Sequence, residues 1–518
     1  MRQWRRIAPN SWSLFFLAVA ACGAETSEDR TARYFESVRT QPSLLLAFLR
    51  DMPKGGDLHN HLFGAVYAES YIDFAARDGL GLCVDRASAR LLPPPCNADK
   101  NQVPAATALT DPALYRQMID AYSMRDFQAS QQPAHDHFFN AFSKFGAATE
   151  KRHGEMLAEV VARAGAENEV YLELMTGPAR GQVIRVAKDV GWDEDLARLR
   201  QKLLAQGLAE AVAAGRRELD EEESRMRELL GCGSVAAPGA THPATPTSNP
   251  GCGVTVRYIY DVLRGLPPEQ VFAQMLLAFE LAGADRRLVA LNLVMPEDAY
   301  IPMRDFDLHM RMLDHLHSVY PRVHITLHAG ELAPGLVPPE GLRFHIRRSM
   351  EKGHAERIGH GVDVMHEHDP LGLLREMAGH KVLVEICLTS NDMILGVRGM
   401  DHPLPMYLRY GVPLAISTDD EGVARSDLTW EYKRAVETYS LAYTQLKKMA
   451  RDSLEYSFLP GSSFWLSPEK STPVADCAGI EPHPRPASGA CRRFLEGSEK
   501  ARVQWKLEAQ FSQFEKQF

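Results

Sequence analysis

From residue 57 onward, short apolar, β-branched runs recur with helical patterns between them, and this alternation narrows the fold more than any other feature. The runs are 57–62, 170–175, 254–262, 288–294, 323–327, 357–364, 382–388 and 412–417. Amphipathic stretches such as 268–281, 305–319 and 370–380 separate several of them. Eight strands alternating with helices predict an α/β fold, a (β/α)8 TIM-type barrel with helical insertions and a C-terminal helical extension. Such a barrel absorbs most of the 518 residues as one domain, expected over 45–440. Two insertions interrupt it. Residues 83–135 hold a cysteine loop and small helices; residues 185–253 hold a charged helix, 193–230, and a Gly/Pro-rich loop, 231–253. Residues 441–518 read as a helical extension with a last cysteine loop.

Charge and export signals limit the partners. Lys and Arg number 58 against 67 Asp and Glu, a formal charge of -9, which argues against a nucleic-acid binder that tracks phosphates. Arg2, Arg5 and Arg6 precede an apolar run over 12–21, so residues 1–21 read as a secretory signal peptide. Val19-Ala20-Ala21-Cys22 resembles the lipobox of bacterial lipoproteins, which implies a lipid anchor on Cys22 and export to the cell envelope. Gly23 after the cysteine favours the outer membrane; without lipidation the protein is expected to be secreted. Polar residues 23–33 read as a tether, with the first helix completing 22–44. Elsewhere no apolar run is long enough to span a membrane. Six further cysteines fall into close pairs, Cys83/Cys96, Cys232/Cys252 and Cys477/Cys491, each around a Pro- or Gly-rich loop, and are expected to form disulfides. Cys387 sits in an apolar run and reads as a buried thiol.

Histidines and acids fall at the carboxyl ends of the predicted strands. His59-Asn60-His61 ends the first, and residues i and i+2 of an extended chain share a face. His328-Ala329-Gly330-Glu331 ends the fifth, His360 the sixth, and Asp419-Asp420 the eighth. Any one alone reads equally as a core histidine or a solvated acid. Together they converge on the barrel mouth where active sites of this fold lie. Three imidazoles and a carboxylate suit one Zn²⁺ with a water in the open position, Fe²⁺ and Mn²⁺ remaining alternatives. Such an ion lowers the pKa of its water to roughly 7.

The segments 53–65 (PKGGDLHNHLFGA), 328–331 (HAGE), 357–361 (RIGHG), 389–391 (TSN) and 417–420 (STDD) resemble the adenosine/AMP deaminase family, in order, over about residues 45–440. The export signal and cysteine loops are closest in layout to its secreted growth-factor-related branch. The resemblance implies that His59, His61, His328 and Asp419 bind the metal. It implies that Glu331 protonates N1 of the purine, that His360 orients and deprotonates the attacking water, and that Asp420 hydrogen-bonds N7. The implied reaction is hydrolysis of adenosine or 2′-deoxyadenosine to the inosine product and ammonia. The sequence departs from the family at Leu388, at Glu421-Gly422 and at Met295-Pro296, where adenosine-binding members carry a glycine that contacts N3. Adenine or another aminopurine is therefore an alternative substrate, and AMP the least favoured because no Arg/Lys cluster marks a phosphate pocket. Other readings are a different metal-dependent amidohydrolase and an inactive binding or signalling protein on the same fold. The sequence leaves the oligomeric state open.

Overall fold

A strand lies at each of the eight expected runs in the computed structural model, which describes residues 25–77, 81–127, 132–149, 151–233, 249–467, 470–483 and 489–518. The barrel strands are β1 (Gly55–His61), β2 (Glu169–Thr176), β3 (Thr255–Leu263), β4 (Leu288–Val294), β5 (His324–Ala329), β6 (Arg357–His360), β7 (Leu383–Ile386) and β8 (Leu414–Ile416). Each pairs in parallel with the next in chain order. Beyond β8, Asp419 bridges back to Asn60, its N–H donating to the His59 carbonyl (2.8 Å) while its carbonyl accepts from the His61 N–H (3.1 Å). The TIM-type barrel therefore closes at the strand tips that carry the expected site.

The strands read as apolar runs because helices cover the outside while side chains fill the inside; β2 and β4 are buried at every residue. The same double coverage explains why helix Pro268–Ala284 is apolar nearly all round. It lies between β4 and the insertion helix Ala209–Leu230, which also packs on helix His153–Ala166. The charged helix expected over 193–230 is two helices. Leu196–Leu203 and Ala209–Leu230 meet at a break where Gln206 and Gly207 leave helical geometry, Gly207 at φ 108°.

Two other expectations are corrected. The polar stretch 23–33 is no tether from Ser27 onward. Helix Ser27–Val38 begins there, its Thr26 hydroxyl and Asp29 carboxylate capping each other's backbone N–H, and it buries Phe35 and Val38. Phe48, packed against Phe35 (ring centroids 5.1 Å apart) and Phe514 (5.1 Å), ties this end to the C-terminal helix Glu499–Glu515. The boundary expected after 440 also shifts, because helix Tyr443–Glu455 packs directly on β8 and β1. Insertion 83–135 contains, besides helices, a small sheet of Cys83–Asp85, Leu91–Leu92 and Gln102–Pro104. The export signal and Cys22 lie outside the described residues.

Cys83–Cys96, Cys232–Cys252 and Cys477–Cys491 are disulfides, and Cys387 is a buried free thiol. The Cys477–Cys491 link belongs to a separate small core with Phe464, Trp465 and Trp505. Replacing both of its cysteines by serine is expected to cost about 3 kcal/mol, since a short crosslinked loop restricts the unfolded chain by that order. Urea unfolding of the wild type and the double variant measures the difference; equal midpoints contradict it.

Candidate metal centre and active site

All seven expected site residues meet at the barrel mouth. His59 and His61 project from β1, His328 from β5 and His360 from β6, while Asp419 and Asp420 follow β8. His59 Nε2 lies 3.1 Å from His328 Nε2, His61 Nε2 lies 3.2 Å from the same atom, and Asp419 Oδ1 is 3.2 Å from His61 Nε2 and 3.5 Å from His59 Nε2. One ligand atom from each of the four residues falls within 4.8 Å of the other three.

The surrounding hydrogen bonds decide what this cluster presents. The Asn292 Oδ1 atom accepts the His328 backbone N–H (2.8 Å), which fixes it as an acceptor, so His328 Nδ1 donates to it (3.0 Å) and Nε2 keeps its lone pair. Glu385 Oε2 accepts from His59 Nδ1 at 2.6 Å. Burial pushes the Glu385 carboxyl up, but Arg357 and His59 outweigh it and hold the group down at about 2. In their neutral forms His59 and His328 thus aim two lone pairs at each other across 3.1 Å, an arrangement that calls for a cation between them. Without one, burial opposes a charge on His59, yet hydrogen bonds with Asp419 and Glu385 raise its pKa to about 10, drawing in a proton instead. Ser390 Oγ donates to Asp419 Oδ2 at 2.6 Å and leaves Oδ1 for the cluster. Three imidazoles and one carboxylate held this way fit a zinc ion with an open position.

Close packing and backbone strain hold the tips in place. Gly359 must lack a side chain, because a Cβ there would lie 2.6 Å from His59 Cε1. Gly64 must likewise leave room for Asp420 Oδ1. His360 (φ 68°) and Asp419 (φ 63°) both adopt left-handed backbone, a cost that surrounding contacts sustain at functional sites.

Beside the cluster opens a cavity of about 380 Å³ bordered by His61, His328, Glu331, Asp419 and Asp420. Burial, reinforced by Asp419, pushes the pKa values of the Glu331 and Asp420 carboxyl groups well above the usual carboxylate range. Asp420 Oδ1 and His360 Nε2 are buried with no hydrogen-bond partner among the described residues. The far wall is aromatic, formed by Phe63 and by Phe138, Phe139, Phe142 and Phe145 of helix Ala134–Phe145. Its single arginine, Arg180, donates to the Asp261 carboxylate and carbonyl.

Met295 takes left-handed backbone (φ 87°), the conformation a glycine supplies freely. Its side chain folds over Gly265, where an added Cβ would meet Met295 Cε at 2.7 Å, and its carbonyl accepts from Arg264 at 2.9 and 3.1 Å. Glu421 is buried, accepts from Arg163 (2.6 Å) and Asn60 (3.3 Å), and so ties the eighth tip to the first. Several supporting residues carried no sequence signal of their own: Asn292 and Glu385 behind the ligands, and Glu297, which accepts the Gly330 and Glu331 N–H groups at 3.1 and 2.8 Å; Ser390 lies in the 389–391 motif, with no role assigned to it from the sequence.

The family model described as Adenosine deaminase matches residues 240–463, a span containing His328, Glu331, His360, Asp419 and Asp420. Over that span the chain is similar to the adenosine deaminase family. The His59/His61 pair precedes that span, and barrel closure brings it to the other family residues. The adenosine deaminase of Vibrio cholerae is 36% identical over 154 residues, 29% of this chain and 43% of the relative. That of Escherichia coli is 39% identical over 137 residues, 26% of this chain and 38% of the relative. The chain thus matches less than half the length of these curated family members. Among solved structures, the ADAL–IMP complex aligns at a TM-score of 0.50 and 20% identity, covering 80% of this chain and 94% of the other. The arabidopsis N6-mAMP deaminase aligns at 0.50 and 20%, covering 80% and 96%. These two likenesses show that the fold is shared.

Proposed function

We propose that this protein is a zinc-dependent hydrolase, one ion per chain, that deaminates adenosine or 2′-deoxyadenosine to inosine or 2′-deoxyinosine and ammonia. The observation that carries this reading is the placing of two buried carboxyl groups, Glu331 and Asp420, beside a ready metal cluster on one cavity, with burial pushing both pKa values up. Zn²⁺ held by His59, His61, His328 and Asp419 would supply the Lewis acidity that makes water nucleophilic at neutral pH. Glu331 donates its proton to N1 as C6 is attacked, which keeps negative charge from building on the ring. The Asp420 O–H donates to N7 and holds the base in plane. His360 Nε2 orients the attacking oxygen. Of the water's two hydrogens, one leaves on ammonia and the other replaces the proton that Glu331 gave to N1.

The aromatic wall favours a second substrate, adenine or another aminopurine with few hydroxyl groups beyond the ring, because five phenylalanines offer a sugar no hydrogen bonds. AMP is disfavoured, since the one arginine of the wall is already bonded to Asp261. For the localisation we propose export, on the basic and apolar leader together with three disulfides in the body. Acylation of Cys22 would attach the protein to a membrane; no described helix is long and apolar enough to cross one.

The test is the ultraviolet change as adenosine becomes inosine. Zinc-loaded protein is expected to turn over adenosine or another 6-aminopurine, chelation to abolish the activity, and added zinc to restore it. Stoichiometric zinc with no turnover of any 6-aminopurine overturns the reading.

A further inference from the structure

A buried chain of hydrogen bonds runs from the backbone behind the site to His360, and its polarity can be read from one end. The Leu404 N–H can only donate, and it meets His402 Nδ1 at 3.1 Å, so that nitrogen is an acceptor. A neutral His402 then carries its hydrogen on Nε2, which lies 3.1 Å from Asn391 Oδ1 and donates to it. With Oδ1 accepting, the Asn391 amide is oriented, and its Nδ2 donates to His360 Nδ1 at 2.9 Å. His360 Nδ1 is therefore an acceptor, and the ring hydrogen sits on Nε2, a buried atom with no hydrogen-bond partner among the described residues and 3.6 Å from Glu331 Oε1. His360 and Asn391 are fully buried and His402 nearly so, so water does not compete along the chain. Burial also pushes the His402 pKa down to about 4, which keeps the ring neutral at physiological pH.

We infer that His402 and Asn391 are positioning residues that fix the tautomer of His360, so that His360 offers the attacking oxygen an N–H donor rather than a lone pair. The inference rests on the deaminase reading only for what the N–H donates to. It departs from the role of water-deprotonating base that the family resemblance implies for His360. To accept a proton at Nε2, His360 would need its other hydrogen on Nδ1, where it would point at the Asn391 N–H donor. Proton balance then falls to Glu331, whose Oε1 lies 3.6 Å from His360 Nε2. It gives a proton to N1 and recovers one from the attacking water, while the second water proton leaves with the amino group as ammonia.

The tautomer is measured directly by nitrogen NMR of the full, zinc-loaded protein labelled with ¹⁵N-histidine. The His360 signals are assigned by their loss in His360→Gln. The expected result is a protonated Nε2 and a bare Nδ1. Asn391→Asp places an acceptor opposite Nδ1, so the hydrogen should move there and kcat should fall about 100-fold, with zinc content and KM little changed. His402→Gln, which can still donate to Asn391, should stay within about 3-fold of wild type, whereas His402→Phe should lose about 10-fold. A hydrogen on His360 Nδ1 in the wild type overturns the inference. So does an Asn391→Asp enzyme that moves the hydrogen and keeps its rate. Absence of turnover with every aminopurine would sink the deaminase reading instead, and the wild-type tautomer would still decide this one.

Discussion

Replacing Glu331 by glutamine should leave zinc content and thermal stability unchanged and lower kcat by about 10³-fold, within the range that a positioned general acid contributes. Glutamine keeps the size of the side chain and a hydrogen-bond donor for N1, so substrate should bind with a similar KM. It has no proton to transfer. The four ligand atoms come from other residues, although a Glu331 carboxyl oxygen also lies within 4.8 Å of ligand atoms of His360 and Asp419. The pH dependence gives a second readout. Burial raises the Glu331 pKa, so the active protonated form persists to higher pH and the wild-type rate falls as pH rises through that raised value. The glutamine variant should lack this alkaline limb. Steady-state rates across pH, with metal analysis of both proteins, check the two together; a variant with near wild-type turnover removes Glu331 from the mechanism.

The barrel and the ligand set were legible because each leaves a local mark. A strand buried on both faces is mostly apolar, so runs such as β4 (LVALNLV) stood out, and a histidine or aspartate at the end of such a run contrasts with it, whereas β1 (GGDLHNH) is marked by its histidines. The supporting residues leave no such mark. Glu385 is one acid inside an apolar stretch, and its partner His59 is 326 residues away, brought within 2.6 Å only by barrel closure. Asn292 and His402 are equally unmarked, since their roles depend on which groups face them across neighbouring strands and loops. Other features were visible and outweighed. Thr26 and Asp29 have the spacing of a helix cap, but the polarity of residues 23–33 suggested a tether. Gly207 marks the break in the charged insertion helix, where a strong helical composition over the flanks hid it.

The largest stability loss is expected where the support of the metal centre merges with the barrel core, at Arg357. This side chain is 1% exposed, and it donates to Glu385 Oε1 (2.7 Å), Glu173 Oε2 (2.6 Å) and the Tyr456 carbonyl (3.1 Å). Thr326 donates to the same Glu385 oxygen at 2.9 Å, and Tyr171 Oη and the Phe458 N–H donate to Glu173 at 2.7 and 2.8 Å. Strands β2, β5, β6 and β7 are thus joined to His59 of β1 by one buried network. Arg357→Met fills much of the same volume but strands two buried carboxylates, a change that typically costs about 3–5 kcal/mol. It also frees Glu385 to take up a proton, and a ligating histidine without its anionic partner binds metal about 10–100-fold more weakly. Both effects follow from one contact, so zinc affinity and the urea midpoint should fall together. In Arg357→Lys the charge remains while the fork that reaches Glu173 and Glu385 at once is lost, so an intermediate loss is expected. The acid response supplies the sign. Glu385 is held at about 2 against an ordinary 4.5, so its share of stability is present above pH 4.5 and drains away as pH falls towards 2. The methionine variant, already without that share, should show a flatter stability profile across this window. Equal midpoints and equal zinc affinity for wild type and Arg357→Met would show that the core and the centre are held independently.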